Sequence, residues 1–269
     1  MTAPHLLVLG HVTRDEIDGG VRLGGAASYA SLAAARIGIE TALVTVAPPD
    51  DPLLAPLRAE PRLTLHCVPS DVMTTFALTY AGPHRRLWLR HAARPLRADD
   101  IPPRWRGAAV AYVGPVASEC DRVLLDAIGA RFLAAGLQGW LRRARSDGEI
   151  EPALAPEALA PPRLDAAILS ELDHPDSAAI AARFAAAGAR VAITRGARGA
   201  TILDGTAGMD IPAAAAVEVD PTGAGDVFGV IFAHELARHT PATDAAARAA
   251  AAAARVVEGP GLGRLGTTV

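Results

Sequence analysis

Short apolar runs and Ala-rich amphipathic stretches take turns along this chain. His5 to Gly10 is a continuous apolar run of strand length, as expected for a central parallel strand buried on both faces. Ala26 to Ile37 reads as a helix ended by Gly38, and Thr41 to Val46 as the next strand. A polar stretch with Arg14, Asp15, Glu16 and Asp18, then Gly24-Gly25, separates the first strand from its helix. This is a βαβ start with a long insertion. No Gly-x-Gly-x-x-Gly follows the first strand, which argues against a dinucleotide fold. Leu63–Val68, Thr74–Tyr80 and Arg86–His91 alternate with period two and, with the turn Ala81-Gly82-Pro83, predict a half-polar hairpin excursion.

Further along, Ala108–Val113, Leu164–Leu169 and Val191–Thr194 read as buried strands. Asp121–Ala135 is amphipathic, and Ser177–Ala187 reads as a helix closed by Gly188. Ala200–Asp204 and Met209–Pro212 predict a small hairpin at the sheet edge. Val227, Phe228, Ile231, Phe232 and Leu236 recur at helical spacing and mark core, not a ligand surface. Thr243–Glu258 is Ala on nearly every face and is stopped by Gly259-Pro260-Gly261. The expectation is one α/β domain spanning 1–269.

Composition narrows the function classes. A chain of 269 residues can bury the core of one large α/β domain. A net charge of −3 gives no pull toward nucleic acid or a membrane surface. Cys67 and Cys120 form no Cys-x-x-Cys pair, so neither a disulfide framework nor a zinc site is indicated. No apolar run reaches membrane-span length, and the N-terminus lacks a basic flank and cleavage site; a cytoplasmic protein is expected. The chain contains no Lys and no Asn; all 26 basic residues are Arg. Chemistry built on a P-loop Lys or a Schiff-base Lys is excluded.

The candidate chemistry concentrates in Val219-Asp220-Pro221-Thr222-Gly223-Ala224-Gly225-Asp226, which opens the late helix. The N–H groups of Gly223, Ala224 and Gly225 sit where a helix begins, with no intrahelical partner and with the positive end of the dipole. Phosphate is the natural guest of such a turn. A carboxylate beside an anion site repels a resting phosphate, so Asp226 points to a general base aimed at a hydroxyl. A plain turn followed by an acidic first helical turn is the other reading of a bare Gly-x-Gly-Asp.

The longer string resembles the Asp-Thr-x-Gly-Ala-Gly-Asp signature of ribokinase-like (PfkB-type) carbohydrate kinases, with Pro221 where Thr is common and Thr222 in the variable slot. The resemblance implies a three-layer α/β/α fold with a mostly parallel sheet and a small β lid, its segments at about 11–25 and 63–92. It implies ATP-dependent phosphorylation of a hydroxyl on a sugar or polyol, with Mg²⁺. It makes Asp226 the catalytic base and Gly223, Ala224 and Gly225 the cradle of the transferring phosphoryl. Asp15, Gly24 and Gly25 would hold the acceptor. Tyr29 falls where the family has an Asn that holds the sugar, and Leu-Gly-Gly-Ala-Ala-Ser-Tyr is similar to the myo-inositol kinase branch.

Thr194, Arg195, Gly196 and Gly199 match the stretch that wraps the donor phosphates, and Ser170 and Thr222 join them. Asp173 stands for the family's Glu that orients the water shell of Mg²⁺; Glu171 is the alternative. Arg142 or Arg143 is placed to meet phosphate or to be a solvated pair. The family's terminal helix and loop border the adenine. Lids of this kind pair between subunits, which makes a homodimer through the lid the partner reading, beside a small-molecule sugar, polyol or nucleoside. The alternatives to a carbohydrate kinase are a nucleoside kinase on the same fold, with Tyr29 or Phe76 beside a flat base, and a catalytically weak ligand-binding pseudokinase.

Overall fold

The structure is a computed structural model that describes residues 4–17, 19–81, 84–205 and 207–259. In chain order its first half runs β1 (Leu6–Leu9), β2 (Thr13–Ile17), β3 (Gly20–Gly24), α1 (Ala26–Arg36), β4 (Thr41–Ala47), α2 (Ala55–Ala59), β5 (Leu63–Pro69), β6 (Thr74–Ala81), β7 (His84–His91), β8 (Val110–Val113), α3 (Arg122–Ile128) and β9 (Phe132–Gly136). The second half runs β10 (Arg142–Ala144), β11 (Ile150–Pro152), α4 (Pro156–Leu159), β12 (Ala166–Ser170), α5 (Ser177–Ala186), β13 (Arg190–Thr194), β14 (Ala200–Asp204), β15 (Ala207–Ile211), α6 (Ala224–Ala237) and α7 (Ala242–Val257).

Nine strands make the main sheet in the order β15-β14-β13-β12-β9-β8-β1-β4-β5. It is parallel from β13 to β5, and β14 and β15 add an antiparallel hairpin at the edge, as the sequence predicts. Alternate residues of one strand feed opposite layers. Leu6 and Val8 of β1 join the core under α1, α6 and α7, whereas Leu7 and Leu9 join the core under α3 and α5. Both faces are therefore apolar, which is why the central strands read as unbroken apolar runs. A separate four-stranded sheet, β3-β2-β6-β7, stands beside the ends of the main strands.

Two expectations change. The excursion expected over 63–92 divides: Leu63–Pro69 pairs in parallel with β4 as the edge of the main sheet, and only β6 and β7 enter the small sheet. An edge strand with one wet face carries the same period-two pattern as a hairpin strand, so alternation alone did not separate them. The amphipathic stretch 121–135 also breaks. Asp121 caps α3 by accepting the Leu124 N–H, Gly129 ends the helix at φ 63°, and Phe132–Gly136 becomes β9 between β8 and β12. Val123, an apolar residue of α3, is 69% exposed. Gly82, Pro83, Pro260 and Gly261 lie outside the described residues.

Candidate active site

The late helix begins where its glycines dictate. Gly223 caps α6 at φ 82°, a left-handed conformation that costs other residues about 1–2 kcal/mol. A Cβ there would also lie 2.2 Å from Cδ1 of Tyr29, so the ring of α1 packs directly on the turn. Tyr29 is buried, which pushes its phenol up to about 12; Arg22 opposes this, while Asp15, Asp220 and Asp226 add to it. Asp226 follows in the first turn of α6.

Asp226 is half-buried on the wall of a cleft of about 1040 Å³ between the small sheet and the ends of β12 and β13. Burial pushes its carboxyl up to about 7, helped by Asp173 and Asp15 and opposed by Arg142. Asp15 lines the same cleft at 8% exposure and accepts a 2.7 Å hydrogen bond from the Thr13 hydroxyl. Gly24 does not line the cleft. It makes room for Asp15, because a Cβ at Gly24 would lie 2.1 Å from Asp15 Oδ2. Gly25 caps α1 at φ 92° and does line the cleft.

The remaining expected residues separate. Ser170, Asp173, Thr194, Gly196, Gly199, Thr222, Gly223, Ala224 and Gly225 all line the cleft. Gly199, at φ 83°, also has no room for a side chain: a Cβ would lie 2.0 Å from the Ile211 carbonyl oxygen. Arg195 is a correction. Its guanidinium turns away to Asp210 at 2.6 Å and forms no part of the lining. Glu171 is tied to Arg198 and does not line the cleft either, which leaves Asp173 as the acidic residue at this position.

Of the pair Arg142 and Arg143, which the sequence left undecided, Arg142 lines the cleft, as does Arg86. Its Nε donates to the Val116 carbonyl at 2.8 Å, and its guanidinium lies 5.1 Å from the Phe76 ring centre. Arg143 is exposed and pairs with Glu151.

A family model described as "pfkB family carbohydrate kinase" matches residues 143–267, the part that holds Thr194 to Gly199 and the whole of 219–226. Among solved structures, a pyrophosphate-dependent kinase in the ribokinase family, complexed with a pyrophosphate analog and myo-inositol, is 18% identical with a TM-score of 0.79, over 94% of this chain and 93% of that one. The chain has a ribokinase-like fold, and its residues 143–267 match the pfkB family model. The ribokinase from Thermotoga maritima is 16% identical with a TM-score of 0.72, covering 96% of this chain and 94% of its own. The nucleoside kinase from Methanocaldococcus jannaschii is 12% identical at 0.70, with 98% and 96% covered. At these identities the likeness is one of fold. No curated protein matches the sequence.

Within this ribokinase-like frame, two further residues support the cleft, Glu119, which carries no local sequence signal, and Gln138. Glu119, 2% exposed, accepts the backbone N–H groups of His11, Val116 and Ala117 and so holds the loop after β8 against the cleft. Gln138 lines the cleft and donates to Asp173 Oδ1 at 3.4 Å, while Asp173 Oδ2 accepts the Ser170 N–H at 2.7 Å. Burial pushes the Asp173 carboxyl up. Among the described residues no three His, Cys, Asp or Glu side chains form a metal cage. Asp173, with one oxygen only weakly engaged and Asp226 in the same cleft, fits a hydrated divalent cation held through water rather than caged directly. Among the described residues no helix is long and apolar enough to cross a membrane.

Proposed function

We propose that this chain transfers the γ-phosphoryl of ATP to a hydroxyl of a sugar or polyol, in the manner of the PfkB family that its second half matches. One observation carries the reading: Asp226 and Asp15, from opposite ends of the chain, share one open cleft with the amides that begin α6. Asp15 accepts a hydrogen bond from the acceptor. Asp226 takes the proton of the reacting hydroxyl as its oxygen forms a bond to the γ-phosphorus. The bond to the bridging oxygen breaks and ADP leaves. The amides of Gly223 and Gly225 stabilise charge on the phosphoryl oxygens, and the Ala224 N–H, which here donates to the Pro221 carbonyl at 3.2 Å, would join them on leaving that bond. Mg²⁺, held through water by Asp173, would neutralise the donor phosphates.

Beyond the phosphate cradle the cleft runs between Ala213–Ala216 and the α7 residues Ala250, Ala253, Ala254 and Val257. A slot with such apolar walls suits the flat face of a base, which supports a nucleotide donor. At the acceptor end both available rings are engaged. Tyr29 packs on Gly223, and Phe76 lies under Arg142. This favours a polyol over a nucleoside, whose base would want one of those faces.

Pyrophosphate is the second donor reading, favoured by the similarity to a pyrophosphate-dependent kinase. Donor consumption measured with ATP or pyrophosphate, Mg²⁺ and a panel of myo-inositol, fructose, ribose and adenosine tests both. Acceptor-dependent ADP release with a polyol or sugar is expected. Turnover with no member of the panel, despite donor binding, would favour a ligand-binding protein that has lost catalysis.

A further inference from the structure

Arg22 reaches across from the outer strand of the small sheet to the signature turn. Its Nη1 donates to Asp220 Oδ2 at 3.1 Å and its Nη2 to the Thr222 hydroxyl at 3.1 Å. Asp220 Oδ1 accepts the Thr222 N–H at 3.0 Å, so one carboxylate and one guanidinium together define the turn that delivers Gly223. Arg22 sits directly opposite Asp15 in the β2–β3 ladder, which puts both side chains on the same face of the small sheet. The strand that presents the acceptor-side carboxylate and the turn that presents the phosphoryl-side amides are therefore tied through residue 22.

An exposed ion pair alone would contribute little. This one differs in two respects. Asp220 is 18% exposed at its side chain, and the planar fork engages two different groups at once, a geometry that Lys cannot reproduce. Arg22 Nε is also buried and has no hydrogen-bond partner among the described residues. The latch leaves one donor unmet, a cost that a rigidly held arrangement must overcome.

We propose that Arg22 is a positioning residue that locks the small sheet to the 220–223 turn and so sets the alignment of acceptor hydroxyl and transferring phosphoryl. It acts through Asp220 and Thr222 and is not itself in the cleft lining. In-line transfer is sensitive to such alignment, where a misplacement of about 1 Å costs on the order of 100-fold. The inference rests on the phosphotransferase reading for its catalytic consequence, but the lock itself does not.

The test compares the full chain with Arg22→Ala and Arg22→Lys by amide hydrogen exchange without ligand, and by turnover on whichever acceptor of the panel is active. In Arg22→Ala, amides of 219–225 and of 13–17 should exchange about 10-fold faster or more, with the central strands β1 and β8 unchanged. Arg22→Lys should fall between, since an ammonium can hold one acceptor but not both. Turnover should fall about 10–100-fold in Arg22→Ala with acceptor and donor KM changed far less. Unchanged exchange in 219–225 would overturn the lock even if no acceptor is active. Loosened exchange with unchanged kcat would overturn its role in alignment. Asp226→Asn, run beside them, keeps the two levels apart: full activity in that variant would count against the phosphotransferase mechanism and not against the lock.

Discussion

Replacing Asp226 by Asn should make the protein more stable and far less active, and the structure sets the sign and size of the stability change. The carboxyl stands at about 7 in the folded protein against 3.8 for the free group. A difference of about 3 pH units corresponds to about 4 kcal/mol at 1.36 kcal/mol per unit, and part of this is lost because Asp226 is only half-buried, leaving about 2–4 kcal/mol. The sign follows from the direction of the shift. With the folded value raised, the folded protein holds this proton more tightly than the unfolded chain. Below pH 4 both states are protonated and Asp226 costs nothing. Between 4 and 7 the unfolded chain ionises while the folded protein still holds the proton, so the penalty grows with pH, and above 7, where the folded protein must carry the buried charge, it stands at its full value.

Asn keeps the volume and never ionises. The stability difference between Asp226→Asn and the native protein should be near zero at pH 4, grow between 4 and 7, and level off at about 2–4 kcal/mol above that. For a chain of this size that is about 4–16 °C in Tm at pH 8. Denaturant unfolding at several pH values, without donor or Mg²⁺, reads it. Turnover at pH 8 should fall about 10²–10⁴-fold, the usual worth of a general base. An Asn variant less stable than the native protein at pH 8, or a difference that does not vary with pH, would refute the account of Asp226 as a charge held in the cleft at a cost.

Three further outcomes are expected. Gly223→Ala adds about 1–2 kcal/mol of backbone strain and about 1–3 kcal/mol of overpacking against Tyr29, so kcat should drop by one to three orders of magnitude; trimming Tyr29 in the same chain should recover only the packing part. Gly24→Ala forces Asp15 to move and should raise the acceptor KM about 5–150-fold, from about 1–3 kcal/mol of overpacking, with the donor KM little changed. Arg142→Gln removes the cation that holds the Asp226 carboxyl down, so the acid limb of the kcat/KM profile should move to higher pH; an unmoved limb would detach Arg142 from Asp226.

The sequence alone determined the parts that depend on neighbours in the chain. Unbroken apolar runs gave β1, β4, β8, β12 and β13 but not β9, the 227–236 stripe gave a buried helix, and Gly223-Ala224-Gly225 gave the start of α6, because backbone conformation and helix periodicity are short-range properties. Only the tertiary structure decided what distant residues do to one another. Arg195 and Arg142 look alike in sequence, yet one pairs with Asp210 outside the cleft and the other stands inside it, since the packing of β14, β15 and the loop after β8 directs each side chain. The period-two run at 63–68 joined the main sheet and not the small one because pairing partners, not alternation, assign a strand. Gly24 serves Asp15, and Tyr29 fits Gly223, through contacts between segments that no local pattern connects. The charge on Asp226 is likewise a property of the assembled cleft, where burial and the carboxylates of Asp173 and Asp15 act together.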